Sequence, residues 1–208
     1  MSYPVQLTSL LTGATVHQLR NWRAKGIVVP EVRPSRPPLY SYRDLVFLRS
    51  VVRLRSATSL QRIGPAFRNL ALLDLVEHPS KYRFATDGKT IVVDDGEGSV
   101  IDLIGQTGQS EVLTFEQIQD AFVDFKGRQV ADFRRPSEYV EVELGRLGGW
   151  PTVAGTRIPY DLIARLVDGK TVKPEDVSTY YPYVTAAAAR DVVEFAQRVD
   201  SVGARRSA

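Results

Sequence analysis

Thr12-Gly13-Ala14-Thr15-Val16-His17-Gln18-Leu19-Arg20-Asn21-Trp22-Arg23-Ala24-Lys25-Gly26-Ile27 contains the end of one helix and the whole of the next. The preceding Gln6 to Leu11 is short and apolar, and Thr12-Gly13 breaks it. Thr15 then opens a second helix, with Gln18 three residues on as its reciprocal cap and Gly26 as its stop. At 100° per residue from Val16, Leu19 and Trp22 fall on one side with Val16 at the edge. His17, Asn21 and Ala24 lie opposite, flanked by Arg20, Gln18 and Lys25. The pattern predicts a helix, a tight turn and a helix. Its outward face has the hydrogen-bonding groups that suit base edges and phosphates, although a plain solvated face can carry the same residues.

Outward from this stretch, Val29 to Tyr40 places Arg33 and Arg36 among Pro30, Pro34, Pro37 and Pro38. Missing amide donors disfavour a central strand, so the segment reads as a stiff wing-like loop. Ser41 caps a third helix with Asp44 at its third position, and Leu45, Leu48, Val52 and Leu54 or Arg55 continue its apolar side. Ser59 begins a fourth helix, with Leu60, Ile63, Phe67 and Leu70 at helical spacing and a bend at Gly64-Pro65.

Charge follows the same division. The net charge of the 208-residue chain is only +3. Met1 to Leu70, however, has eleven Lys/Arg against only Glu31 and Asp44, a net +9. Residues 71–136 carry −5 and residues 137–208 carry −1. A compact positive unit attracts phosphates. Cysteine is absent, which excludes disulfides and thiolate metal sites, and His17 and His78 alone leave little for a zinc or nucleophile–base site. No metal or cofactor is expected, and the chain does not read as an enzyme. It also lacks an apolar run of membrane length and a signal-peptide start, so a cytoplasmic protein is expected.

The middle third reads as a small antiparallel meander. Tyr82 to Ala85 and Thr90 to Val93 flank Asp87-Gly88, and further strands are expected at Val100 to Ile104 and Glu111 to Leu113. Asp94, Asp95 and Glu97 lack the ligand spacing of a calcium loop and read as an acidic turn. Thr114 and Gln117 form a capping box for an amphipathic helix carrying Phe115, Ile118, Phe122 and Phe125 and stopping at Gly127.

Arg134-Arg135-Pro136-Ser137 reads as a linker, after which Val140, Val142 and Leu144 alternate with Glu141 and Glu143 as a strand. Gly148-Gly149, Pro151 and Gly155 impose turns, and Ile158-Pro159 starts a helix running to Asp168. Pro174 opens a short helix through Tyr180, and Thr185 caps a last one with Val192, Val193, Phe195, Ala196 and Val199 on its apolar side. That helix opens on four alanines, which cannot read bases. Arg157 reads slightly better as a structural arginine tied to Glu or backbone carbonyls than as a partner anchor. Trp150, Tyr180, Tyr181 and Tyr183 suit either an interface or the core. The expected architecture is mainly α with a small antiparallel sheet (α+β). Its parts are a helix-turn-helix with a wing over 1–76, a connecting sheet and helix over 77–136, and a trihelical module over 137–203.

These residues carry two resemblances. The order Thr-Gly, Val-His-Gln-Leu-Arg-Asn-Trp, Gly-Ile, Pro, Arg-rich loop, Leu-Tyr-Ser resembles the winged helix-turn-helix of the MerR family over roughly the first 75 residues. It implies that Thr15 to Lys25 is a recognition helix, Arg20 a phosphate contact, and Arg33 and Arg36 wing contacts. The wing is Pro-rich where the family has Gly-Tyr-Arg, and the family's long dimerising coiled coil with metal-binding cysteines is missing. Gly149-Trp150-Pro151-Thr152-Val153-Ala154-Gly155-Thr156-Arg157-Ile158-Pro159, continuing through Pro174 to Thr185, is similar to the domain-of-unknown-function-433 family. Lys173 stands where that family tends to have Ser, and Tyr160 replaces a small β-branched residue.

Together the resemblances imply a VapB-type antitoxin of a type II toxin–antitoxin pair. It would be a homodimer that binds operator double-stranded DNA and a PIN-like ribonuclease toxin, with no membrane association. The expected DNA-contacting residues are Thr15, His17, Gln18, Arg20, Asn21, Arg23, Lys25, Arg33, Arg36 and Tyr40. The expected partner-binding residues are Trp150, Arg157, Tyr180 and Tyr181. The alternative is a ligand-responsive MerR-like transcriptional regulator without a toxin partner. A pure interaction module, or an acid–base hydrolase built on Asp94 and Glu97, ranks lower.

Overall fold

The computed structural model describes residues 2–57, 66, 83–86, 91–94, 100–102 and 115–203, with backbone alone at 57, 83–86, 91–94, 100–102 and 115–116. Helix α1 (Val5–Thr12) ends at Gly13, whose φ of 79° places it in the left-handed region and whose N–H closes on the Ser9 carbonyl. Helix α2 (Val16–Ala24) begins at the expected capping box. Thr15 Oγ1 accepts the Gln18 N–H at 3.2 Å, and Gln18 Oε1 accepts the Thr15 N–H at 2.8 Å. Leu19 and Trp22 are buried, as their spacing from Val16 requires. Strand β1 (Tyr3–Pro4) pairs antiparallel with β2 (Leu39–Tyr40), so the chain returns from the Pro-rich loop to the entry of α1.

Helix α3 (Tyr42–Ala57) is capped reciprocally by Ser41 and Asp44. It is buried on more sides than one apolar stripe provides, since Val46, Phe47, Val51 and Arg49 are covered along with Leu45 and Leu48. Arg49 is 0% exposed. Its guanidinium donates to the carbonyls of Leu11 (2.8 Å), Ile118 (2.6 Å), Gln119 (3.0 Å), Asp120 (2.8 Å) and Ala131 (2.6 Å). Burial pushes its pKa down to about 10, which leaves it charged at neutral pH. The rings of Phe122 and Phe133 lie 5.1 and 5.8 Å from its central carbon.

Strands β3 (Arg83–Thr86), β4 (Ile91–Asp94) and β5 (Val100–Asp102) form an antiparallel meander, with Thr86 opposite Ile91 and Asp94 opposite Val100. The Ser59-capped helix, His78, the turn at 95–99 and the strand expected at 111–113 lie outside the described residues, apart from the helical Ala66.

Helix α4 (Phe115–Gln119) corrects one expectation: it does not run to Gly127. A hairpin of β6 (Phe122–Val123) and β7 (Gln129–Val130) follows it, with Gly127 in the turn at φ 75°. The carbonyls of Ile118, Gln119 and Asp120, which a continuing helix would offer to residues 122–124, accept from Arg49 instead, and that of Gln119 also accepts the Phe133 N–H at 2.7 Å. Asp124 fixes the turn by accepting the N–H groups of Lys126 (2.8 Å) and Arg128 (2.9 Å) and the Arg128 side chain. Burial alone would raise the Asp124 pKa, but these donors outweigh it and hold the carboxyl below its usual value. The stability this adds is fully present above the ordinary carboxylate pKa of about 4 and is lost as pH falls through the lower folded value. The melting temperature of D124N should therefore fall less steeply on acidification than that of the native chain. Parallel curves from thermal scans between pH 2 and 6 would contradict this.

Residues 134–137 are not a loose linker. Phe133 and Pro136 on either side of Arg134 and Arg135 are buried. Ser137 Oγ donates to Asp191 at 2.5 Å, and the Tyr139 N–H donates to the other oxygen of that carboxylate at 2.7 Å. Strand β8 (Val140–Glu141) pairs antiparallel with β9 (Thr152–Val153) and is shorter than the Val140–Leu144 alternation suggests, because Leu144 is 60% exposed. A 3-10 turn at Leu147–Gly149 intervenes. Helices α5 (Tyr160–Leu166), α6 (Val177–Tyr180, after a 3-10 turn at Pro174–Asp176) and α7 (Ala186–Ser201) complete the chain. Thr185 Oγ1 caps α7 through the Ala188 N–H at 3.1 Å.

One core joins these parts. Tyr3, Leu7, Trp22 and Leu48 belong to the same buried cluster as Phe133, Val140, Ile163 and Phe195. Residues of all three sequence segments meet in it. A run of rings crosses the junction, from Tyr3 to Trp150 (5.6 Å), Trp150 to Tyr160 (6.1 Å) and Tyr160 to Phe195 (5.0 Å). Gly149 sits at the same junction with φ 85°, and a Cβ there would come within 2.4 Å of the Tyr42 ring and 2.8 Å of the Tyr3 hydroxyl. G149A should thus lose about 2–4 kcal/mol in urea unfolding, from overpacking plus the left-handed backbone. A loss under 0.5 kcal/mol would show that the junction yields freely. The described residues form a mixed helical fold with small antiparallel sheets.

Candidate nucleic-acid interface

The capping box fixes the start of α2, and the buried Leu19 and Trp22 fix its rotation. Residues at the i+3, i+4 and i+7 positions from His17 therefore share one outer face, namely Arg20, Asn21 and Ala24. His17, Arg20, Ala24 and Lys25 are exposed, and Asn21 and Arg23 are half-buried. Asn21 Nδ2 lies 2.9 Å from His17 Nε2, so the amide donates to the ring nitrogen when His17 is neutral there. Among the described residues no carboxylate pairs with Arg20, Arg23, Lys25, Arg33 or Arg36, since the ion pair in this region joins Arg43 to Glu31 at 3.7 Å. The second carboxylate of the N-terminal part, Asp44, is 1% exposed. The part of this positive charge carried by α2 and its loop thus has no carboxylate partner among the described residues.

The loop beyond α2 is held at its base. Asp44 accepts the Glu31 N–H at 2.9 Å as well as the Ser41 N–H at 2.8 Å, so one carboxylate pins the loop and caps α3. The Arg33 and Leu39 backbones exchange hydrogen bonds of 3.1 and 2.9 Å. Arg33 Nε reaches back to the Pro37 carbonyl at 2.8 Å. Residues 31–37 are all exposed, and Arg36 takes a left-handed φ of 55°. Burial pushes the Tyr40 pKa up to about 12, with the charge of Arg23 opposing and that of Asp44 adding to the shift.

Three members of the expected set are placed differently from the surface role read for them. Tyr40 is 2% exposed and belongs to the core, because β2 pairs with β1 beneath α3. Thr15 Oγ1 and Gln18 Oε1 each accept a hydrogen bond in the cap, leaving the Thr15 O–H and the Gln18 NH₂ as their remaining donors. His17, Arg20, Asn21, Arg23, Lys25, Arg33 and Arg36 remain as the outer array. The role of Asp44 in holding the loop was missed, although an acid three residues after Ser41 was visible as a cap.

The expected partner residues also separate. Trp150 is half-buried between Tyr3 and Tyr160, with its indole N–H given to Asp161 at 2.9 Å, so it serves the core instead of an open surface. Tyr181 packs partly on the core, whereas Tyr180 is 57% and the neighbouring Tyr183 87% exposed. The structural role favoured for Arg157 is not realised: it is exposed and, among the described residues, has no hydrogen bond or ion pair. Glu141, the nearby acid that such a role needs, is occupied by the Gly155 N–H (3.0 Å), Arg135 (2.7 Å) and Arg146 (2.7 Å), which hold its pKa below the usual value. Thr156 closes the loop around Arg157, donating its hydroxyl to Val153 O at 2.9 Å and accepting the Ile158 N–H at 3.0 Å.

Residues 140–196, from β8 into α7, match the family model described as a protein of unknown function (DUF433). No curated protein and no solved structure matches the chain. Among the described residues no group of His, Asp or Glu is placed to hold a metal ion, and no helix is long and apolar enough to cross a membrane.

Proposed function

We propose that this chain is a DNA-binding antitoxin of a type II toxin–antitoxin pair. In this reading α1, α2 and the loop after them act as a winged helix-turn-helix on operator DNA, and the C-terminal module holds a PIN-like ribonuclease. The observation that carries it is the outer array of α2 and its loop, cationic residues with no carboxylate partner among the described residues, on two elements whose backbones are pinned at cap and base. Uncompensated cations on a fixed frame release counterions from a polyanion without reordering the protein. Supporting the partner half, Arg157 stands exposed on a loop closed by the hydrogen bonds of Thr156, with no hydrogen bond or ion pair of its own among the described residues.

In anisotropy titrations with DNA from upstream of its own coding sequence, R20A should weaken specific and random duplexes alike by roughly tenfold. N21A should instead narrow the gap between them, a difference worth about 1–3 kcal/mol for a good base contact. Unchanged titrations for both variants would remove α2 from the interface. For the partner half, R157A should lower co-purification with a ribonuclease encoded by the adjoining gene by at least about tenfold, the scale of an interface anchor. Retention equal to the native chain would remove Arg157 from that role.

A further inference from the structure

We infer that the end of α7 supplies a second set of phosphate contacts to the duplex held by α2, through Arg198 and the Arg205-Arg206 pair that follows it. The inference rests on the DNA-binding reading above and adds to it residues of the C-terminal module, which that reading gave to the toxin alone. The last turn of α7 lies against the helix-turn-helix. Arg198 and Val202 border a cavity of about 270 Å³ together with Ser9, Leu10 and Gly13, from the end of α1 and the turn before α2. Gly203 leaves the helix with φ 95°, and a Cβ on it would stand 4.0 Å from Val16 Cγ2, in van der Waals contact with the first residue of α2.

Covalent geometry carries the next cations to the same place. Arg205 and Arg206 lie outside the described residues, but a chain spans at most about 3.3–3.6 Å per residue, so their Cα atoms stand no more than about 7 and 11 Å from that of Gly203. The rise along α2 from Val16 to Arg20 is itself about 6 Å. Charge at this end of α7 is also sided. Asp200, the last acid of the helix, borders a groove with Tyr160 and Ala164 on the face toward α5, whereas Arg198 and Val202 face α1. From Ser201 through Arg206 there is no acidic residue. Arg198 is exposed, donates to Ser137 Oγ at 2.8 Å and has no carboxylate partner among the described residues. That hydroxyl orients the guanidinium without neutralising it. Guanidinium forks fit phosphate oxygens, which every sequence presents alike, so these arginines add affinity and not sequence discrimination.

The test uses the full chain in anisotropy titrations across salt, with a duplex from upstream of its own coding sequence and a random duplex of equal length. R205A/R206A should lower the slope of log K against log salt by about two units, and R198Q, which keeps a donor for Ser137, by about one. At 0.1 M salt the double variant should bind both duplexes about 10- to 100-fold more weakly. K170A/K173A removes two exposed cations from another part of the C-terminal module and should leave the slope within about half a unit of the native value. Thermal melts check that the variants are folded. An unchanged slope in R205A/R206A or in R198Q, a loss confined to one duplex, or an equal loss in K170A/K173A would each overturn the role of this end of α7. A native chain that binds no duplex would instead overturn the DNA reading itself.

Discussion

R49M is expected to destabilise the chain by about 4 kcal/mol or more in urea unfolding, the largest effect of any single substitution considered. Each buried carbonyl that loses its donor costs about 1–3 kcal/mol. Arg49 serves five, of which those of Leu11, Ile118 and Gln119 are fully enclosed. Methionine restores volume but no donors. R49K should recover less than half of the loss, because one ammonium cannot span carbonyls on α1, at the end of α4 and at Ala131 just after β7 as the planar guanidinium does. The two variants together separate packing from hydrogen bonding. An R49M protein within 1 kcal/mol of the native chain would mean that water or a shift of the 118–131 segment replaces the guanidinium at little cost.

The second large effect concerns binding. Removing Arg20, Arg23 and Lys25 together should lower the slope of log K against log salt by about three units, since each phosphate contact contributes about one. At 0.1 M salt this corresponds to roughly a 10²- to 10³-fold loss of affinity. The triple variant should keep its melting temperature within a few degrees, because none of the three side chains makes a hydrogen bond or ion pair among the described residues. An unchanged salt slope would place the phosphate contacts elsewhere on the chain.

Much of the architecture was legible where the signals were local. The boundaries of α1 and α2 follow from Gly13 and from the Thr15–Gln18 pair, and α3 and α7 begin at the Ser41 and Thr185 caps. What escaped the sequence depends on partners far along the chain. Arg49 follows the buried Leu48 by one position, and periodicity alone assigns such an arginine to solvent; only the carbonyls of residues 118–131 reveal why it is inside. α4 ends at carbonyls that this guanidinium binds, and Phe122 lies in a hairpin strand in place of the helix that its spacing implied. The segment 134–137 reads as a linker until Asp191 is placed against Ser137 and Tyr139. In the candidate interface the outer face of α2 was readable by helical geometry, but the burial of Tyr40 and the pinning of the loop were not. Those follow from strand pairing and from the Asp44 clamp.

The run of rings from Tyr3 to Phe195 also decides how the molecule can be taken apart. A chimera that grafted residues 140–196 onto another chain would leave the indole of Trp150 without the ring that covers it, and a fragment stopped before residue 140 would strip Tyr3 of the same neighbour. Each half would present a sticky aromatic seam to solvent, so dissecting this protein calls for point substitutions in the intact polypeptide in place of scissors.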